Sequence, residues 1–142
     1  MQDQKLRDLV SYLHKYSPFY KELFLKEKIA PGDINGIEDL VRIPTTGKEN
    51  LQQRNNDFLC VPREDVIEYS STSGTLGSPV TISLTENDLT RLAQNEYNSF
   101  LCAEGSSSDV YQLMLTLDRQ FMAGMAYYLG IRKLGAGIIR LG

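Results

Sequence analysis

The sequence predicts an α/β protein in which a helical N-terminal collar is followed by a small mixed sheet with βαβ crossovers. Residues 1–65 show helical spacing of apolar side chains, interrupted by frequent turn signals. From residue 66 onward, strand-like and helix-like segments alternate, as in sheets whose parallel strands are joined by helices. A chain of 142 residues is the size of one domain, which we divide into the collar, 1–65, and an α/β part, 66–142.

The collar opens with two helices. Apolar residues recur at positions i, i+3, i+4 and i+7 of the first helix: Leu6, Leu9, Val10 and Leu13. Ser17 and Pro18 begin the second helix, because a serine hydroxyl caps a helix N-terminus and proline has no N–H to leave unpaired there. The predicted buried face of this second helix consists of Phe19, Leu23 and Phe24.

Two shorter helices complete the collar. One begins near Gly36 and carries the apolar side chains Ile37, Leu40 and Val41. Thr46 and Glu49 have the three-residue spacing of a capping box, in which a threonine hydroxyl and a glutamate side chain each accept a backbone N–H. This spacing predicts Thr46 as the N-cap of the last short helix.

The α/β part opens with two strands and a helix. Val66, Ile67 and Tyr69 predict one strand, and the alternating apolar residues over 80–84 predict another. The two strands could pair as a hairpin around the loop 70–79. Thr85 and Asp88 are spaced as an N-cap and its partner, so they predict the start of a helix. The apolar face of this helix comprises Leu89, Leu92, Ala93, Tyr97, Phe100 and Leu101.

The remaining residues predict a strand, a helix and a final strand. Residues 110–117 are almost continuously apolar, as in strands covered on both faces. The helix over 121–134 ends at Gly135. Asp118 and Arg119 follow a strand, where ligands gather in α/β sheets, but the preferred role of Asp118 is the N-cap of this helix rather than a catalytic one. We expect core packing from Met114, Phe121, Met122, Met125 and Tyr128. The final strand, 137–141, leaves a sheet edge open, through which copies could associate as homo-oligomers.

Charge and composition exclude several classes of protein. Lysine and arginine number 15 against 18 aspartates and glutamates, and the net charge of −3 gives no reason to expect a nucleic-acid or membrane-surface partner. No apolar run suits a signal peptide or a membrane span, which indicates the cytoplasm. Cys60 and Cys102 match no zinc spacing, and the one histidine is His14 in a helical pattern. We therefore expect neither a metal site nor a cysteine nucleophile.

The loop 70–79, with the sequence SSTSGTLGSP, is the stretch that points to chemistry. Backbone N–H groups near Gly74 and Gly77, together with the neighbouring hydroxyls, are the parts of a phosphate cradle. The loop is not of the Walker type, which needs four residues between its glycines and a lysine after them. Composition alone favours a Ser/Gly hairpin loop over a phosphate site.

The order of the residues resembles the adenylate-forming enzymes. Residues 72–79, TSGTLGSP, are similar to the phosphate-binding signature of those enzymes, S/T-S-G-T-T-G-x-P. Other segments resemble one branch, the phenylacetate-coenzyme A ligases and their relatives: SPFY at 17–20, DL at 39–40, IPTTGKENL at 43–51, TENDL at 85–89, the glycines Gly124 and Gly130, and LGA at 134–136. The resemblance covers essentially the whole chain.

The resemblance implies a ligase that uses ATP and Mg²⁺ to convert a small carboxylic acid, with an aromatic acid favoured, into an acyl-adenylate. Coenzyme A then displaces AMP. The phosphate contacts carried over to this chain are Thr72, Ser73, Gly74, Thr75 and Gly77. The chain would be part of the large N-terminal domain of such a ligase, a single incomplete domain, because the adenine site, the magnesium ligand and the catalytic lysine belong to later segments. We expect the chain alone to be inactive and to retain no cofactor.

Two positions depart from the signature. Leu76 stands in place of a threonine and Ser78 in place of the usual lysine, so that a hydroxyl donor and a positive charge near the phosphates are missing. Each loss weakens binding of a charged group. These departures favour an alternative function, a non-catalytic structural module that has a degenerate nucleotide loop and self-associates through its open sheet edge.

Overall fold

The computed structural model describes residues 1–72, 78–118 and 120–141. The chain is made of two compact units, Met1–Pro62 and Arg63–Gly142. Helices dominate the first unit, and helices and strands alternate in the second. The predicted α/β class is therefore confirmed.

The first unit contains three α-helices separated by 3₁₀ turns. The helices α1, α2 and α3 occupy Gln2–Tyr16, Pro18–Lys26 and Lys48–Gln53, and the 3₁₀ turns occupy Pro31–Asp33, Ile37–Arg42 and Asn55–Phe58. The core of the unit consists of Val10, Phe24, Ile29 and Ile34, which are all buried. Helices α1 and α2 thus enclose the segment that follows α2, as the apolar spacing of Val10 and Phe24 predicts.

Ser17 joins α1 to α2 and is only 1% exposed. Its hydroxyl accepts the N–H of Tyr20 at 3.3 Å and donates to the carbonyl oxygen of Asp57 at 2.9 Å. The predicted N-cap is therefore confirmed, with Pro18 in the first turn of α2. The second hydrogen bond joins the start of α2 to the 3₁₀ turn Asn55–Phe58. The hydroxyl is therefore both a donor and an acceptor in hydrogen bonds, as a buried polar group requires.

Two apolar predictions in this unit are wrong. Leu9 is 52% exposed, because the core contacts of α1 are concentrated around Val10. The helix expected near Gly36 is the 3₁₀ turn Ile37–Arg42, in which Val41 is 90% exposed. Three residues complete each 3₁₀ turn, so residues i and i+3 share a side while residue i+4 falls on another.

The capping box predicted for α3 is also wrong. The N-cap of α3 is Gly47, whose N–H is accepted by Oδ1 of Asn50 at 2.9 Å. The hydroxyl of Thr46 instead lies 3.2 Å from the hydroxyl of Tyr20 in α2. The Thr46 hydroxyl therefore makes a tertiary contact instead of capping α3.

The second unit contains four short strands and two helices among its described residues. Its elements are β1 (Glu68–Ser71), β2 (Thr81–Leu84), α4 (Glu86–Cys102), β3 (Val110–Leu113), α5 (Met122–Leu134) and β4 (Gly137–Arg140). Strands β1 and β2 form the predicted antiparallel hairpin, and β3 and β4 pair in parallel around α5. Within the described ranges these are two separate sheets, so the single mixed sheet with two crossovers is wrong and one βαβ crossover remains.

The ends of α4 and α5 follow local rules, with one exception. Oδ2 of Asp88 accepts both the N–H of Thr85 at 2.9 Å and its hydroxyl at 2.8 Å, which confirms the capping box of α4. Gly135 ends α5 in the left-handed conformation with φ 78°, as predicted. Asp118 does not cap α5, because the N-cap is Phe121 and the Asp118 carboxylate accepts the hydroxyl of Thr116 instead.

The sheet of β3 and β4 is covered on one face by α5. Leu113 is buried, whereas Val110 is 67% exposed and Met114 is 73% exposed. The prediction that residues 110–117 are covered on both faces is therefore wrong for the described residues of this chain. The prediction that Met114 and Phe121 pack in the core is likewise wrong, because both side chains are exposed.

Two buried glycines bring α5 close to its neighbours. A Cβ on Gly124 would overlap the carbonyl oxygen of Thr116 and lie 3.0 Å from the carbonyl carbon of that residue. A Cβ on Gly130 would overlap the Cβ of Glu96 in α4 and lie 3.2 Å from Cε2 of Phe100. The glycine spacing of this helix therefore reflects two contacts that leave no room for a side chain.

Candidate functional site

Strands β1 and β2 present the loop to which the sequence assigns phosphate binding. Of the residues predicted to contact phosphate, Thr72 is described, and Ser73, Gly74, Thr75 and Gly77 lie outside the described residues. The described part of the site is therefore the base of the loop. Its shape follows from the strands, whose last paired residues are Ser71 and Thr81.

Thr72 closes the base of the loop. Its N–H donates to the carbonyl oxygen of Val80 at 3.0 Å, and its hydroxyl oxygen accepts the N–H of Val80 at 2.9 Å. The hydroxyl thus replaces a backbone acceptor at the point where strand pairing ends. Since that oxygen accepts the Val80 N–H, its own proton is left to donate, and the side chain is exposed. An exposed hydroxyl donor is suited to a phosphate oxygen.

A second contact holds β1 from below the loop. The carbonyl oxygen of Gln120 accepts the hydroxyl of Ser70 at 2.8 Å and the backbone N–H of Ser71 at 2.9 Å. Ser70 is 1% exposed, so this hydrogen bond is shielded from water. The backbone N–H of Ser71 is therefore paired with a turn residue rather than with another strand.

A cavity of about 180 Å³ lies beside this contact. Its lining combines one carboxylate and three polar or aromatic hydrogen-bonding groups with apolar side chains: Glu68, Ser70, Leu117, Gln120, Phe121, Met125 and Tyr128. The cavity lies where the chain passes from β3 into α5, on the side of α/β sheets where ligands gather. It has the size for a small organic group rather than for a whole nucleotide, because drug-sized ligands occupy about 300 Å³ or more.

Positive charge near the cavity comes from α5 and β4. The guanidinium carbons of Arg132 and Arg140 lie 6.0 and 5.9 Å from the ring centroid of Tyr128, which lines the cavity. At the loop itself, Ser78 stands where the signature usually has lysine. The two guanidinium groups therefore contact the ring of Tyr128, on elements that are separate from the loop.

The described residues contain no group of three or more His, Cys, Asp or Glu side chains that could hold a metal ion. Cys60 is half-buried, and this burial raises the pKa of its thiol, although a hydrogen bond from Ser17 opposes the shift. His14 lies against Phe24 in the first unit, with ring centroids 6.3 Å apart. Across the described ranges, no helix has the length and apolar character required to span a bilayer.

Sequence reasoning located the loop and missed the residue that holds it. Asp118, which follows β3, bonds to Thr116, and its neighbour Arg119 lies outside the described residues. Gln120 contributes through its backbone carbonyl, which is common to every residue, so no side-chain pattern signals it. Only the geometry of the turn identifies it.

No protein-family model matches the chain. Among solved structures, an open conformation of 2-hydroxyisobutyryl-CoA ligase in complex with 2-HIB-AMP and CoA matches 98% of this chain and 34% of its own, with a TM-score of 0.85 and 19% identity. The same ligase in the thioesterification state matches with a TM-score of 0.85 and 20% identity. The fold is therefore that of a portion of an acyl-coenzyme A ligase.

Sequence comparison finds similarity to enzymes that carry one name. The phenylacetate-coenzyme A ligase of Thermus thermophilus is 31% identical over 140 residues, which are 98% of this chain and 31% of that protein. The enzyme of the same name from Escherichia coli K12 is 29% identical over 98% of this chain and 32% of its own length. Over nearly its whole length the chain is therefore similar to phenylacetate-coenzyme A ligases, and it spans about a third of the length of these relatives.

Proposed function

We propose that this chain supplies the triphosphate-binding loop of an ATP-dependent acid–coenzyme A ligase. In that reaction the carboxylate attacks the α-phosphate of ATP, pyrophosphate leaves, and the coenzyme A thiol then displaces AMP to give the thioester. Hydrogen-bond donors at the loop would stabilise the negative charge that builds up on the departing pyrophosphate. The same proposal places the protein in the cytoplasm, where ATP and coenzyme A are available.

The arrangement of Thr72 is the observation that carries this proposal. Its oxygen accepts the N–H of Val80 at 2.9 Å, and its exposed hydroxyl proton is left as a donor. The arrangement supports a role for Thr72 together with Ser73, Gly74, Thr75 and Gly77, which follow it in the signature.

The cavity beside Gln120 supports a small, largely apolar acid as the substrate. Phe121, Met125 and Tyr128 give it two aromatic rings and a thioether, which pack well against an aryl group. We propose Mg²⁺ and coenzyme A as cofactors of the whole ligase and not of this chain alone. The chain spans 31% of the Thermus relative, so we expect it to form no thioester alone when given an acid, ATP, Mg²⁺ and coenzyme A.

The phosphate role of the loop can be tested by NMR titration of the chain, which detects weak complexes. We expect ATP and tripolyphosphate to shift the amide resonances of Thr72 and Ser78, and adenosine to leave them unchanged. Replacing Thr72 and Ser73 together by alanine should weaken binding about tenfold or more, because each hydrogen bond to a charged group contributes about 1.5–3 kcal/mol.

A matched control for this titration replaces hydroxyls away from the loop. The exposed residues Thr90 and Ser107, changed together to alanine, should leave the titration as in the parent chain. Absence of any phosphate-dependent shift at Thr72 and Ser78 would show that the loop is only structural.

Self-association is a second candidate function, favoured by the open face of β3 and β4. Val110 and Met114 are exposed there, as are Ile139 and Leu141. Apolar side chains grouped beside unpaired strand edges favour contact with another copy of the chain. We propose that copies associate through this sheet.

Light scattering tests this assembly. We expect the chain to form a dimer or larger species, and the variant with Val110→Lys and Ile139→Lys to be monomeric, since two buried charges would be left without partners. Val41→Lys, at a 90% exposed position of the first unit, serves as the control and should assemble like the parent chain. A monomeric parent chain at high concentration would contradict the proposal.

A further inference from the structure

Gln120 has a left-handed backbone conformation that its place in the secondary structure does not explain. Among the described residues, the non-glycine residues with positive φ are Lys28 at 56°, Glu104 at 60° and Gln120 at 58°. Lys28 and Glu104 each lie two residues beyond the last residue of a helix, α2 and α4, where the left-handed conformation is common. Gln120 instead precedes the N-cap of α5, so no helix C-terminus explains it.

The left-handed turn at Gln120 aims its carbonyl oxygen at β1. That oxygen accepts the hydroxyl of Ser70 at 2.8 Å and the N–H of Ser71 at 2.9 Å. Ser71 is the last residue of β1, and Thr72 follows it directly. The Ser71 side chain also donates to the carbonyl oxygen of Thr72 at 3.3 Å. Thr72 is thus held by Val80 on one side and, through Ser71, by Gln120 on the other.

The turn itself is held from the helix side. Gly124 approaches Thr116 so closely that a Cβ would overlap the Thr116 carbonyl oxygen. The start of α5 is therefore fixed against the segment that carries Gln120. Rigid support on that side allows a conformation with positive φ to persist in a residue that has a side chain.

We propose that Gln120 is a positioning residue of the phosphate site, whose left-handed backbone fixes the place at which Thr72 is presented. The identity of the group that Thr72 then binds rests on the proposed function. The positioning itself depends only on the backbone of Gln120 and its two hydrogen bonds to β1. A side chain that disfavours positive φ should therefore release Thr72, and one that tolerates positive φ should not.

Amide hydrogen exchange, followed by NMR on the chain, tests this role. In Gln120→Val we expect the protection of the Ser71 amide to fall at least tenfold, with the amides of α4 unchanged. In Gln120→Gly and Gln120→Asn the protection should stay near that of the parent chain. Glu104→Val strains a left-handed position at the end of α4, so it serves as the control and should leave Ser71 protected.

Rescue by glycine and asparagine separates positioning from a general loss of stability. If Gln120→Val lowers protection evenly across β1, β3, α4 and α5, or if Gln120→Gly is as damaging as Gln120→Val, the proposal is wrong. Should Gln120→Val not fold, Ser70→Ala removes one of the two hydrogen bonds without touching Gln120, and it should lower the protection of Ser71 severalfold. Unchanged protection in Ser70→Ala would also overturn the proposal.

The same samples distinguish this proposal from the proposed function. A parent chain without ATP-dependent shifts at Thr72 would remove the phosphate function, while the exchange pattern would still decide the role of Gln120. If ATP shifts Thr72 equally in the parent chain and in Gln120→Val, the phosphate function holds and the positioning role fails.

Discussion

Replacing Gly124 by alanine should lower the free energy of unfolding of the chain by about 2 kcal/mol. The new Cβ would overlap the carbonyl oxygen of Thr116. Because this oxygen is a backbone atom, the overlap is relieved only if the helix or the Thr116 backbone shifts. Overpacking of this kind costs up to about 3 kcal/mol. Alanine recovers about 1 kcal/mol of helix propensity, which leaves the net loss. Urea unfolding followed by circular dichroism measures it.

Gly32→Ala is the control for this substitution, because a Cβ on Gly32 would meet nothing within 4 Å. It should change the free energy of unfolding by no more than about 0.5 kcal/mol. Gly124→Ala should also reduce the protection of the Ser71 amide, since the displaced segment carries Gln120. A stability equal to that of the parent chain would mean that α5 does not lie as close to Thr116 as the structure places it.

Replacing Gly130 by alanine should destabilise the second unit by a similar amount, about 2 kcal/mol, for a different reason. The new Cβ would overlap the Cβ of Glu96 and lie 3.1 Å from the carbonyl carbon of that residue. Helices α4 and α5 would have to separate, which loosens the contacts of Phe100 with Tyr111 and Tyr127, at ring-centroid distances of 4.9 and 6.2 Å.

A double-mutant cycle isolates the contact between these helices. Glu96→Gly alone should cost about 1 kcal/mol through helix propensity. In the Gly130→Ala background the same change removes the Cβ that causes the overlap. The double variant should therefore lose less free energy of unfolding than the sum of the losses in the two single variants. Strict additivity would contradict direct contact between the two positions.

Local rules explain the part of the fold that the sequence predicts correctly. Ser17 with Pro18, Thr85 with Asp88, and Gly135 each act within one turn of chain, and all are found where their spacing predicts. The hairpin and the crossover around α5 follow in the same way from alternation and from element order. Such features need no knowledge of distant contacts.

The incorrect predictions occur where a distant contact competes with a local pattern. Thr46 bonds to Tyr20 instead of capping α3, and Asp118 bonds to Thr116 instead of capping α5. The exposed Val110 belongs to an apolar run whose second face nothing covers among the described residues. At the candidate site, the hairpin around the loop was predictable from the residues of its two strands, whereas Gln120 acts through a carbonyl oxygen, so side-chain identity does not signal its role.

The two close contacts of α5 have a consequence for the shape of the cavity beside this helix. Gly124 and Gly130 are six residues apart, which places them about 120° apart around the helix axis. Contacts on two different sides prevent the helix from rotating or sliding to suit a larger ligand. A change in the shape of the neighbouring cavity should therefore come from exchanging side chains such as Phe121 and Met125 rather than from shifting the helix.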